Sequence, residues 1–299
     1  MKPITVNEIA SATGGELVSA AAKGEVTVHS VSTDTRTLED GSLYIALRGD
    51  HYDGNAFAAA AVNSGATCLV LDELPAEADK LNVPVVLVQD TLLALQRLAK
   101  WYRQQLNIRV VGITGSNGKT STKELLRHVL SCRYKVHATS GNQNTVIGLS
   151  LNLLQISDFH EASILEIGAS AIGEIKTLSK IAEPTHGLIT NIASAHLEGF
   201  GSIENIAREK SELFKYLRQG VSFVNLADDK VAGIKFSGKI ITFGLFSFAK
   251  VLKLNEANTI NNNLKFIIIM IKVIGPIPIF YQSPWRCGDN FTLRVLIPA

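Results

Sequence analysis

The chain has 299 residues, 46% of them hydrophobic, and its 29 basic against 27 acidic side chains leave a formal net charge of +2. That length accommodates about two domains with cores of their own, and the near-balanced charge excludes a field built for nucleic acid or an anionic membrane. The three cysteines, Cys68, Cys132 and Cys287, have no metal or redox spacing, so buried apolar thiols in a reducing compartment are expected.

The N-terminal stretch MKPITVNEIASATGGEL lacks a basic-then-apolar signal architecture and leads into an acidic, helix-like segment, which predicts a cytoplasmic location. Residues 1–106 mix short strands, at 26–32, 43–47, 68–71 and 83–88, with helices at 56–64 and 92–105. Residues 107–244 alternate instead. Strands are expected at 109–113, 164–167, 187–192 and 221–225, and helices at 119–131, 148–154, 173–181 and 203–217. This predicts an α/β chain: a small mixed N-terminal domain, then an incomplete P-loop-type domain with a parallel sheet and helices on both faces.

Beyond residue 244 the alternation stops. Residues 245–299 hold six basic side chains and two acidic ones, Glu256 and Asp289, and read as a tail foreign to the preceding design. The apolar run from Phe266 to Phe280 contains Lys272, Gly275, Pro276 and Pro278 and falls short of the roughly 20 residues a spanning helix needs.

The most informative segment is VVGITGSNGKTST, residues 110–122. A glycine-rich turn between a buried strand and a helix exposes backbone N–H groups at the positive helix end, a nest for phosphate oxygens. Gly115, Ser116, Asn117 and Gly118 form that turn, Ser121 follows in the first helical turn, Lys119 reaches the β/γ-phosphates and the Thr120 hydroxyl ligates Mg²⁺. The generic pattern requires glycine at position 113, where this chain has Ile113, so the loop is a variant. A plain strand-to-helix turn is the bland alternative.

Other residues are ambiguous by spacing alone. Glu166 ends the run ASILE, where a carboxylate suits a hard cation or is an exposed strand end. His196 follows the next strand, as ligand or structural histidine. Lys210 lies on a helix whose apolar face carries Ile203, Ile206, Leu213 and Phe214, and reads as a solvated charge. Asn142 and Asn144 read as a turn residue and an N-cap. Ser32, Asp34 and Arg36 alternate and would share one face of a strand end, either solvated or reading a nucleotide.

Taken together, TGSNGKTS (114–121), STDTR (32–36), Asp53-Gly54, GNQNTVIG (141–148), EIGASAIGEI (166–175), PTHGLITNI (184–192) and AHLEGFGSIENIAREKSEL (195–213) resemble the Mur ligase family, the ATP-dependent amide-bond formers of peptidoglycan precursor synthesis. E-x-G-A with AHLEGFGS resembles the branch that joins D-alanyl-D-alanine to UDP-N-acetylmuramoyl-tripeptide. STDTR disfavours the related folate-glutamylating ligases. The resemblance implies a UDP-precursor domain at 1–106, an ATP domain at 107–244 and a C-terminal ligase domain that is absent, since no D-H-x-R-N-P-like or Y-N-A-N-P-like motif follows.

It also implies roles. Lys119 binds phosphate, Thr120 and Glu166 hold a first Mg²⁺, His196 holds another, and Lys210 is a carbamylated, metal-bridging lysine. Asn191 lies near the adenine, Asn142 and Asn144 approach phosphates or the muramoyl substrate, and Ser32, Asp34 and Arg36 hold the UDP end. The reaction implied is phosphorylation of the tripeptide carboxylate by ATP and attack of the D-alanyl-D-alanine amine on the acyl phosphate. Activity is expected to be impaired in this chain; the alternative is a non-catalytic remnant that binds nucleotide and UDP-precursor. A monomer is expected.

Overall fold

The computed structural model describes residues 1–18, 26–76, 78–141, 143–195 and 197–244, and two short antiparallel strands, Trp285–Arg286 and Thr292–Leu293. The described residues divide into two compact units: those within 1–107, 139–159 and 177–183, and those within 108–138, 160–176 and from 184 onward.

In the first unit β1 (Ile4–Thr5) leads into α1 (Val6–Thr13), whose N-cap Thr5 accepts from the Glu8 N–H while the Glu8 carboxylate accepts from the Thr5 N–H. This reciprocal pair satisfies two otherwise orphaned donors. Next come β2 (Glu16–Leu17), β3 (Thr27–Val28) and β4 (Ser30–Ser32), then β5 (Ser42–Ile45), the hairpin β6 (Arg48–Gly49) and β7 (Tyr52–Asp53), and α2 (Ala58–Asn63). The stretch 26–32, expected as one strand, is split at His29: β3 pairs with β1, and β4 with β5. With β8 (Ala66–Leu71) and β9 (Val85–Leu87) these make a five-stranded sheet of order β2-β9-β8-β5-β4, parallel except for β2.

Tyr44, Ala58, Ala61, Leu69, Leu71 and Val85 form its apolar core. Helix α3 (Thr91–Gln104) buries Leu95 and Leu98 and carries the buried Arg103. The Arg103 guanidinium donates to the carbonyls of Ala182, Glu183 and Leu106, so three backbone oxygens gather round a long cation.

The second unit begins with β10 (Arg109–Thr114), followed by α4 (Lys119–Ser131) and β11 (Val136–Ala138). The chain passes through α5 (Val146–Leu154) in the first unit and returns as β12 (Ala162–Glu166), α6 (Glu174–Ala182, whose residues from 177 belong to the first unit), β13 (His186–Ile189), α7 (Leu197–Phe200), α8 (Ile203–Tyr216), β14 (Val221–Asn225), α9 (Asp229–Ala232) and β15 (Lys239–Phe243). The sheet order is β11-β12-β10-β13-β14-β15, every pair parallel.

Alternation along β10 decides which helix covers which face. Val111 and Ile113 pack with Leu126 and Leu130 of α4, together with Ile164, Leu188 and Phe223. On the opposite face Gly112 pairs in register with Gly187, and a Cβ on either would come within 3.2 Å of Leu213 or Leu217 atoms following α8 inward. The glycine pair lets α8 lie close to the sheet, where Phe214 is fully buried, worth about 1.5–3 kcal/mol. The expected helices on both faces are therefore present.

The strand β15 was not expected. Its signal was legible, a β-branched run KIITF bounded by Gly238 and Gly244, the pattern of a short strand between turn residues. Cys68 is buried as expected, and burial pushes its thiol up to about 12. Cys132 is exposed, against expectation, because it sits at the C-cap of α4. Cys287 and the 266–280 run lie outside the described residues. Among the described residues no helix is long and apolar enough to cross a membrane.

Candidate functional site

In a parallel sheet ligands bind beyond the carboxyl ends of the strands, near where the strand order reverses. Here β10 is central: the chain crosses to β11 and β12 on one side, then to β13, β14 and β15 on the other. Four carboxyl ends deliver the site: the turn after β10, Glu166 at the end of β12, residues 190–193 after β13, and residues 225–228 at and after the end of β14.

The strand β10 runs through Ile113 to Thr114. Ile113 is wholly buried and registers between Glu166 and Leu188, so the position of the generic first glycine is sheet core and the loop is confined to 115–118. Gly115 is sterically required: a Cβ there would fall 1.8 Å from the Thr190 hydroxyl. Gly118 has φ +76, a left-handed conformation suited to glycine, and no side chain caps α4 behind it. The first N–H groups of α4 face outward uncapped, beside the exposed Asn117, Gly118, Thr120 and Ser121, which is the geometry of an anion nest.

Lys119 folds back over this loop, its ammonium donating to Gly115 O at 2.9 Å and Ser116 O at 3.4 Å. The Thr120 hydroxyl donates to Glu166 Oε2 at 2.9 Å, and Glu166 is 2% exposed. Two oxygen ligand groups thus lie side by side at the edge where α4 begins. Among the described residues no group of three or more His, Cys, Asp or Glu side chains could hold a metal ion. A Mg²⁺ site on a nucleotide needs none, since one or two protein oxygens with phosphates and water suffice. The Thr120–Glu166 pair fits such an ion.

Lys210 departs from its solvated reading. It is 4% exposed on the sheet-facing side of α8, and burial first, then the Lys119 charge, lower its pKa to about 8. Desolvation disfavours the charged amine. Its neighbour Glu209 is 2% exposed and accepts from the Gly173 and Ile175 N–H groups at 2.7 and 2.6 Å, fixing α8 to the first turn of α6. Asn191 accepts the Asn117 N–H on its side-chain oxygen at 3.0 Å.

In the first unit Ser32, Asp34 and Arg36 do come together, but not on one strand face. Strand β4 ends at Ser32, and Asp34 caps a 3₁₀ turn, Thr35–Thr37, accepting the Arg36 N–H. The Arg36 guanidinium forks onto Asp34, with the shortest contact at 2.6 Å. That partner holds the Asp34 carboxyl down at about 2. Ser32 Oγ donates to Asp34 O. Asn144 is not the N-cap of α5, because Thr145 takes that place and accepts the Gly148 N–H. His196 and Asn142 lie outside the described residues. Sequence reasoning missed Glu209, Asn225 and Asp228. A polar NLADD turn directly after an apolar strand was the signal available for the last two.

Two family models match the chain: "Mur ligase family, catalytic domain" over residues 27–103 and "Mur ligase middle domain" over residues 113–277. UDP-N-acetylmuramoyl-tripeptide–D-alanyl-D-alanine ligase of Bacillus subtilis is 40% identical over 240 residues, covering 80% of this chain and 52% of the relative. The ligase of the same name from Escherichia coli is 38% identical over 226 residues, covering 75% and 48%. A crystal structure of MurF from Acinetobacter baumannii superposes with a TM-score of 0.74 at 34% identity, covering 82% of this chain and 53% of that one. MurF ligase from Thermotoga maritima in complex with ADP gives 0.66 at 31% identity, covering 73% and 50%. The chain spans about half the length of the curated relatives it matches. With its fold, its phosphate loop and more than half its length matched by the middle-domain model, the chain belongs to the Mur ligase family.

Proposed function

We propose that this chain carries the ATP-phosphate and UDP-precursor binding portions of a ligase joining D-alanyl-D-alanine to UDP-N-acetylmuramoyl-tripeptide, working in the cytoplasm. The observation that carries this reading is the uncapped, glycine-turned start of α4 with Thr120 bonded to Glu166 at 2.9 Å. In the reaction, a carboxylate oxygen of the tripeptide attacks the γ-phosphorus of ATP and ADP leaves. The dipeptide amine then attacks the acyl carbon, loses a proton, and phosphate departs. Residues 115–121 and Lys119 hold the phosphates, and Asn191 fixes the loop beside the nucleotide.

Thr120 and Glu166 would hold Mg²⁺, with His196 and Lys210 supplying a second position; bound there, the ion neutralises phosphate charge. A buried amine near pH 8 is partly neutral and able to add CO₂, releasing a proton and leaving a carbamate oxygen ligand, which supports the carbamylated reading of Lys210. Ser32, Asp34, Arg36, Asn142 and Asn144 are assigned to the UDP-muramoyl substrate.

The test is phosphate release by this chain with ATP, Mg²⁺, UDP-N-acetylmuramoyl-tripeptide and D-alanyl-D-alanine, omitting each in turn, beside calorimetry of ATP and of the UDP-precursor. Release requiring all components supports ligase activity. Binding without release favours a binding module, and neither binding nor release would sink both readings.

A further inference from the structure

The phosphate loop has few supports of its own. Its residues 117 and 118 are exposed and its turn is glycine-based, yet a nest works only if its N–H groups are held in place. The support comes from residues 190–193. Asn191 accepts the Ser116 N–H on its backbone carbonyl and the Asn117 N–H on its side-chain oxygen, both at 3.0 Å. Ser116 Oγ donates to Ala193 O at 2.8 Å and accepts the Ala193 N–H at 2.9 Å. Thr190 Oγ1 donates to Asn117 O at 2.6 Å.

Thr190 keeps one bond to the sheet, its N–H donating to Thr114 O at 2.9 Å, but β13 ends at Ile189, and the irregular backbone of 191–193 needs an external anchor. Asn225, the last residue of β14, and Asp228 just beyond it supply that anchor. Asn225 Nδ2 donates to Thr190 O at 2.9 Å, and Asp228 Oδ2 accepts the Ile192 N–H at 2.9 Å. Each spends its other atom locally. Asn225 Oδ1 accepts the Ala227 N–H, and Asp228 Oδ1 accepts the Lys230 and Val231 N–H groups at the start of α9.

We propose that Asn225 and Asp228 are positioning residues for the phosphate loop, acting through residues 190–193 without touching the nucleotide. The inference rests on the reading that residues 115–120 bind nucleotide phosphates. The division of labour between atoms supplies the test. Asn225→Asp keeps the acceptor for Ala227 but sets an oxygen against the Thr190 carbonyl. Asp228→Asn keeps a good helix cap but sets an amide against the Ile192 N–H.

The experiment compares the full chain with these two variants by amide hydrogen exchange and by calorimetry with Mg·ATP. Expected are about tenfold faster exchange at Ser116 and Asn117 and about tenfold weaker Mg·ATP binding, the scale of one lost buried hydrogen bond. Exchange at Lys230 and Val231 should stay at the parent rate in Asp228→Asn. Parent-like exchange at Ser116 and Asn117, or a uniform loosening of the whole sheet, would overturn the proposal. A parent chain that binds no Mg·ATP counts against the nucleotide reading alone, and exchange at Ser116 and Asn117 then decides the brace by itself.

Discussion

The Thr120 hydroxyl donates to Glu166 Oε2 across 2.9 Å, tying the first turn of α4 to the carboxyl end of the adjacent strand β12. If this pair is a Mg²⁺ seat, Glu166→Gln should remove the strengthening of ATP binding by Mg²⁺, by about tenfold, while leaving metal-free ATP binding nearly unchanged, because the lost term is carboxylate charge facing the cation. Thr120→Val should act in the same direction and less strongly. Calorimetry with ATP in Mg²⁺ and in EDTA measures both. An unchanged Mg²⁺ increment in Glu166→Gln would refute the assignment.

Lys210 gives a second expectation through its burial. Its folded pKa, about 8, lies below the ordinary 10.5, so between those values the unfolded chain binds more protons and stability rises with pH. Below about 8 the amine is charged in both states, and the cost of burying it is fully present. Lys210→Met keeps the apolar stem without the charge and should stabilise the chain at pH 7 by on the order of 2 kcal/mol. That advantage should shrink toward pH 10.5. Urea melts at pH 7 and pH 10 in CO₂-free buffer test this; a gap independent of pH would contradict it.

What the sequence made legible follows from the range of the interactions involved. The phosphate loop, Glu166 and the strand-helix alternation are local patterns, and the structure places them at the carboxyl edge of a parallel sheet as expected. Periodicity could not reveal that Lys210 is buried, because that depends on the Gly112–Gly187 pair drawing α8 against the sheet. Nor could alternation at Ser32, Asp34 and Arg36 foresee the Asp34-capped turn, since capping chemistry competes with strand propensity over three residues. The 190–193 brace joins residues more than 70 positions apart, beyond the reach of spacing arguments.

The two loop glycines should respond differently to the same change. Gly118→Ala places a Cβ in open space but at φ +76, a conformational cost of about 1 kcal/mol. Gly115→Ala drives a Cβ to 1.8 Å from Thr190 Oγ1, which itself bonds to Asn117 O. The loop must shift, so Gly115→Ala should abolish Mg·ATP binding where Gly118→Ala weakens it several-fold. Both should keep the parent's sheet, monitored by far-ultraviolet circular dichroism. Equal affinities for the two variants would contradict the steric role of Gly115.

Acid should destabilise the second unit through two sheet histidines. Burial, reinforced by His160 at one and by Arg109 and Lys239 at the other, lowers His137 and His186 from 6.5 to about 4. His137 Nδ1 is hydrogen-bonded to Ser163 Oγ, and His186 bonds Thr185 Oγ1 and stacks on Phe223. Because both folded values are depressed, the unfolded chain binds more protons between about pH 6.5 and 4. Stability is therefore full above the upper value and lost as pH falls through that window. The Asp34 carboxyl, held near 2 by Arg36, acts only at lower pH. Urea midpoints should fall between pH 6.5 and 4 in the parent, and fall less in a His137→Gln, His186→Gln double variant, which retains hydrogen-bonding capacity without the titration. Identical pH profiles for parent and variant would show that these rings do not govern the acid response.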